Sequence, residues 1–450
     1  MLPALLLVLP LVALFPLRAP VARPEAQDQA EPDAAAEIGA AELARLVAEI
    51  QDEVAALAGR PYLRPVPAAT IDRAGFLAFA TAELAEEMTP DERAAEETAA
   101  KLLGLIPPEM DLVATMFELL EEQVGGFYDP GKDEFFLMST FTGDLARIIL
   151  SHELAHALDD QYHDLDQGMK ARQGNGDAQF AFQALVEGNA TALMNRWTMS
   201  HLADLDLVAL TASGSMGMEV MGRTPPYLWK PLLGAYMKGA AFLNRTESVM
   251  KGQQGFPAPE DVQAAFTAPP LSSEQVLHPA KYWDPAERDD PRAVRITPAS
   301  LPAGWSVLHE NTLGELGLGL VVEPLKKRGG LKGQLAAITM LYTSPAVAGW
   351  GGDRYALLGK GEARILVSAS AWDAPAEAAE FAAALGGFAA HLTGAAAGLA
   401  AARGLEGSGH LARHDAEAGI VRLVGWTGAS RAEVEAVLAG LAISADAPAR

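Results

Sequence analysis

The stretch Ser151-His152-Glu153-Leu154-Ala155-His156-Ala157-Leu158-Asp159-Asp160 sets two histidines four residues apart, with a glutamate beside the first. On an α-helix, positions i and i+4 share a face, so both imidazoles can reach one metal ion. Glu153 lies about 100° further round the helix, where its carboxylate can address a water on that ion without ligating it. The run Leu145-Ala146-Arg147-Ile148-Ile149-Leu150 leads into the motif, and neither Pro nor Gly occurs from Asp144 to Gln167. Thr142 is expected as N-cap. Leu145, Ile148, Ile149, His152 and His156 form one stripe, so the histidines point inward with the apolar residues. A buried imidazole needs a partner, either a metal or a polar neighbour in an ordinary core.

Catalytic zinc sites usually have three protein ligands and one open position. The expected third ligand is Glu187, an acid in the middle of the apolar, helical run Phe180–Met194. The Gly-containing loop from Gln167 to Asp177 lets the chain return antiparallel, and small Gly188 and Ala190 would let the two helices approach. Thr191, one turn on, could support a ligand by a hydrogen bond. The competing reading makes Glu187 a surface acid on an amphipathic helix. Asp159 and Asp160, one turn beyond His156, are expected to support or cap rather than ligate.

His152-Glu153-Leu154-Ala155-His156 with a downstream helical Glu187 resembles the gluzincin class of zinc metallopeptidases, thermolysin-like in catalytic core. Asp160, four residues after the second histidine, fits the same likeness. It covers roughly residues 125–200, and the spacing to Glu187 is longer than in thermolysin. Ser273-Glu274-Gln275-Val276-Leu277-His278-Pro279 and Gly349-Trp350-Gly351-Gly352-Asp353-Arg354-Tyr355 resemble elements of a less described bacterial family of metallopeptidases. The resemblance implies a zincin-like core holding Zn2+, a peptide or protein substrate, and Glu153 as general base. It also implies a donor for the developing oxyanion. His278, Tyr282, Arg354 and Tyr355, in loop-like polar and aromatic clusters, are the candidates, of which His278 and Tyr355 are retained as catalytic. The alternative is a non-catalytic binding or envelope-assembly protein that keeps a metallopeptidase shell.

Around this centre the pattern is α+β and predominantly helical. The two aromatic runs in Gly125–Met138 flank Asp129-Pro130-Gly131 and predict a β-hairpin before the metal helix. In the resemblance its edge strand would pair with extended substrate; from sequence alone an ordinary sheet edge fits equally well. Residues 1–32 read as an apolar leader (Met1 to Leu17) and a Pro- and acid-rich linker, suiting an export signal or an uncleaved membrane anchor. Residues 33–124 read as a helical region with a short strand at Val66–Ile71. The catalytic core and a helical subdomain, including a helix over Leu202–Ala212, fill 125–348. Two strand–helix units make a small α+β module of 349–450. A net charge of −24 over 450 residues repels nucleic acid, and the absence of cysteine excludes disulfides and thiolate metal sites.

Overall fold

In a computed structural model the chain is described over residues 7–8, 38–207, 210, 218–323 and 341–447. Apart from Leu7 and Val8, the expected leader and linker lie outside these residues. The fold is α+β with a helical majority. Helix α1 (Ala40–Ala58) places Leu43, Leu46, Val47, Ile50 and Val54 on one buried stripe. It ends at Gly59, whose left-handed backbone (φ 72°) reverses the chain at little steric cost. Helices α2 (Arg73–Glu87), α3 (Pro90–Leu102) and α4 (Leu112–Gln123) follow. Each begins on a side-chain cap, from Asp72, Thr89 and Asp111 respectively.

The expected hairpin forms. Strands β3 (Gly126–Asp129) and β4 (Glu134–Met138) pair antiparallel, Tyr128 opposite Phe135. Strand β2 (Ala68–Ile71) joins β4 in parallel, and β1 (Leu7–Val8) pairs antiparallel with the outer edge of β3. Alternation divides the hairpin between two cores. Tyr128, Phe135 and Leu137 pack with α1 and the helix that carries His152 and His156, while Phe127 stacks on both Phe79 and Phe136.

Helix α5 (Gly143–His163) carries the motif; α6 (Leu165–Lys170) is a short turn, and α7 (Gly176–Ser200) returns through the centre of the molecule. Thr142 sits at the N-cap of α5 but its side chain makes no capping bond. The middle of α7 is buried on every side, as expected of a helix apolar all round. It is crossed by α8 (Pro226–Leu243), with Gly188 against Gly239. A Cβ added at Gly239 would overlap the Ala184 carbonyl and come within 3.0 Å of the Gly188 Cα. Gly188 therefore serves the α7–α8 crossing rather than the α5–α7 contact expected of it; Ala190 does face the core shared with α5. Of the helix expected over Leu202–Ala212, residues 202–204 form a turn, and 208–209 and 211–212 lie outside the described residues.

The C-terminal unit is larger than the sequence suggested. Its antiparallel sheet runs β6-β7-β8-β10-β9, from strands Ser306–Asn311, Trp350–Lys360, Ala363–Trp372, Ile420–Thr427 and Ser408–Asp415. β5 (Val294–Pro298) pairs with β11 (Leu441–Ala445) across one face, so the boundary expected at Gly349 falls inside this unit. Gly349–Tyr355, read as loop, runs into the long strand β7.

This unit is stapled to the start of α7. Gly176 N–H donates to Asn311 Oδ1 (2.7 Å), and the Asp177 carboxylate accepts from Ser273 N–H (2.9 Å) at the start of α9 (Ser273–Leu277). Asp353 accepts from the amides of Leu313 and Gly314, at 3.0 and 2.8 Å, at the start of α10 (Gly314–Val322). Two buried acids thus satisfy helix-terminal N–H groups that would otherwise be orphaned. No single helix among the described residues is long and apolar enough to cross a membrane.

Candidate metal centre

His152, His156 and Glu187 converge. Their side chains are 0% exposed, and Glu187 Oε2 lies 3.1 Å from His152 Nε2 and 3.3 Å from His156 Nε2. The three offer one ligand atom each, all within 4.8 Å of one another. In a tetrahedral zinc site with bonds of about 2.05 Å, neighbouring ligand atoms sit about 3.3 Å apart, the edge of the tetrahedron. The two Glu187 separations fit that edge, and are equally the length of a direct imidazole–carboxylate hydrogen bond.

Polar satisfaction points the same way. Among the described residues, twelve buried side-chain atoms lack a hydrogen-bond partner. Seven of them belong to five neighbouring side chains: His152, Glu153, His156, Glu187 and Thr191. Leaving so many polar atoms unpaired in one place costs several kcal/mol unless something absent from the protein's own atoms completes them. Two imidazoles and a carboxylate form a donor set suited to Zn2+ and related divalent ions. Burial lowers the His152 pKa to about 4, so the ring is neutral, the form that ligates a metal. Burial would raise the Glu187 pKa, yet His156 and His152 together bring it below its ordinary value, keeping the carboxylate anionic.

Glu153 is also fully buried, on the side of α5 that faces the hairpin. Burial, and then the Glu187 charge, push its pKa well up, while the Tyr128 backbone N–H favours the ionised form. Neither of its oxygens completes a hydrogen bond of normal geometry. Asp160 accepts from Tyr128 Oη at 2.9 Å and from the Leu165 amide at 2.8 Å, which caps the start of α6. It thereby ties β3 to α5. Asp159 is bound by Asn189 and Arg60. Thr191 Oγ1 is buried without a partner, so it makes no supporting hydrogen bond to a ligand.

The two retained oxyanion candidates lie in other networks. His278 sits between Glu247 and Glu315, each 3.1 Å from a ring nitrogen. Burial disfavours its charge, but those two acids raise its pKa above the ordinary value. Tyr355, on β7, donates to Glu96 Oε2 at 3.3 Å beside His309. Tyr282 donates to the Ala268 carbonyl and Arg354 to that of Gly174. None of these bonds involves His152, Glu153, His156 or Glu187. The sequence reading passed over Tyr236 of α8, whose ring stacks on His152 with centroids 5.7 Å apart. Its only signal was an aromatic residue in the Gly-rich run Gly234–Gly239.

A second group, Glu274, Asp289 and Asp373, also has ligand-like spacing. Lys281 Nζ fills it, 2.6, 2.7 and 3.2 Å from the three carboxylates, so an ammonium already occupies this site.

A family model described as "Domain of unknown function (DUF8575)" matches residues 306–437. That span is the C-terminal sheet with its helices and contains none of the four residues of the metal centre. No curated protein and no solved structure matches the chain.

Proposed function

We propose that the protein is a zinc-dependent metallopeptidase with a zincin-like core, in which His152, His156 and Glu187 hold the ion and Glu153 is the general base. The observation that carries this reading is the convergence, within 4.8 Å of one another, of three buried ligand atoms from two helices, beside a buried acid whose oxygens complete no hydrogen bond of normal geometry. The chemistry contributed by bound zinc is Lewis acidity and the acidification of a water to a pKa near 7. Glu153 takes the proton of the attacking water on its carboxylate and passes it to the leaving amine. The β3 edge beside Glu153 would hold a substrate backbone in place of the extended Leu7–Val8, which pairs with it in this structure. An export signal within Met1–Leu17 would place this activity outside the cytoplasm.

A second reading is a buried metal-binding protein without hydrolytic activity. It is favoured by the 0% exposure of all four residues, since catalysis needs a path for substrate. Cleavage of casein and of quenched peptides by the zinc-loaded chain, with and without chelator, separates the two. Glu153→Gln is expected to retain zinc by elemental analysis and lose hydrolysis by several orders of magnitude. Unchanged turnover in that variant removes Glu153 from the mechanism, and a zinc-loaded wild type that cleaves nothing favours the second reading.

A further inference from the structure

Immediately after α1, residues 60–64 wrap as a strap around the C-terminal half of α5. Tyr62 Oη donates to the Leu154 carbonyl (2.6 Å), and Gln161 Oε1 accepts from the amides of Leu63 and Arg64, at 2.7 and 3.1 Å. Tyr162 Oη donates back to the Pro61 carbonyl at 2.8 Å. Arg60 differs from the rest because its guanidinium goes past the helix surface to Asp159, while its Nη1 donates to His163 Nε2 at 3.1 Å. The Asp159 side chain is 0% exposed and that of Arg60 18%.

Asp159 has a second partner on the other ligand helix. Asn189 Nδ2 lies 3.0 and 2.8 Å from its two oxygens. On α5, Asp159 is three residues beyond His156; on α7, Asn189 is two residues beyond Glu187. The link therefore crosses between the ligand helices within one turn of the ion site. We propose that Arg60 is a positioning residue for the metal centre: by neutralising Asp159 it holds the Asp159–Asn189 bridge closed and keeps Glu187 within reach of both imidazoles. The inference rests on reading the centre as a metal site and identifies a part of it that the ligand motif does not contain.

The physical reason is that a buried carboxylate stripped of its cation is strongly destabilised. It must take up a proton or draw in water, and either change disturbs the paired contacts from Asn189. A shift of α7 against α5 of even a fraction of an ångström then spoils the 3.1 and 3.3 Å separations at Glu187. Losing a group that orients metal ligands typically costs 10–100-fold in affinity.

The test measures zinc affinity by competition with a chromophoric chelator, alongside urea stability, on the full chain. Arg60→Met, which keeps the apolar stem, is expected to bind zinc about 10–100-fold more weakly. Adding Asp159→Asn to it removes the uncompensated charge and is expected to restore most of the affinity. Gln161→Ala cuts the strap elsewhere, so it should lower stability and leave zinc affinity unchanged. If Arg60→Met does not fold, Arg60→Lys, which lacks the fork that spans Asp159 and His163, is measured in the same way. Zinc affinity within twofold of wild type in the Arg60 variant, or an equal loss in Gln161→Ala, overturns the inference alone. A wild-type chain that takes up no zinc overturns the metal reading, and the inference with it.

Discussion

Replacing Gly239 by alanine tests whether the crossing of α7 and α8 is as tight as its geometry indicates. The new Cβ would overlap the Ala184 carbonyl oxygen, meet its carbonyl carbon at 2.8 Å and stand 3.0 Å from the Gly188 Cα. All of these are backbone atoms on a buried helix, so no side chain can swing aside, and the helices must separate by roughly 1 Å. Overpacking of this kind costs about 1–3 kcal/mol, and an obstacle made of backbone belongs at the upper end. Against it stands the gain of about 1 kcal/mol from alanine over glycine within a helix. The expected net loss is about 2 kcal/mol. Gly394→Ala is the control. That glycine lies in the helix Ala389–Ala402 with nothing within 4 Å of the added carbon, so the propensity gain of up to about 1 kcal/mol should appear alone. Urea denaturation followed by circular dichroism measures both. A Gly239→Ala protein as stable as wild type, or more so, would mean that the two helices do not touch there. Zinc affinity should fall in the same variant, because Glu187 lies next to Gly188.

Two further predictions concern buried charge. Asp177 is 2% exposed, and burial raises its pKa to about 7, with Asp353 and Glu315 adding to the rise and its bonds to Ser273 opposing it. Its folded pKa exceeds the unfolded value, so its contribution to stability is complete below about pH 4 and is lost as pH rises through 7. Asp177→Asn should therefore be spared a loss of up to about 4 kcal/mol that wild type suffers between pH 4 and 7, and parallel urea profiles across that range would refute it. Lys281→Met leaves Glu274 beside Asp289 and Asp373 without their shared cation. The expected loss is about 3 kcal/mol, the low end for breaking a buried pair because Lys281 is partly exposed. Adding Glu274→Gln should recover part of that loss, whereas a further loss would show that the lysine is not compensating Glu274.

The parts of the centre that the sequence revealed are those set by spacing along one helix. His152 and His156 share a face because of the helical repeat, and Glu187 stood out as an acid in an apolar run. The hairpin was legible from alternation around Pro130-Gly131. What escaped depends on residues distant in the chain. Arg60 looks like the residue that follows a helix end, and nothing nearby signals a partner 99 positions away. Gly188 was aimed at the wrong neighbour because a helix apolar on every side carries no phase to say which helix each residue meets. His278 resembled a loop histidine free for catalysis, but acids 31 and 37 positions distant hold it. Polar Asp353 made its segment look like a loop, whereas its carboxylate is buried to receive the start of another helix.

The staple at Gly176 gives α7 a mechanical role. Eleven residues separate that anchor from Glu187, a rigid span of about 16 Å along the helix axis. The C-terminal sheet holds one end of this rod, and Glu187 lies on its middle. A substitution at Asn311 removes the acceptor of the Gly176 N–H and so loosens the end of the helix that carries Glu187. The unit spanning residues 306–437 thus holds the start of the helix on which Glu187 lies, without contributing a residue to the proposed centre.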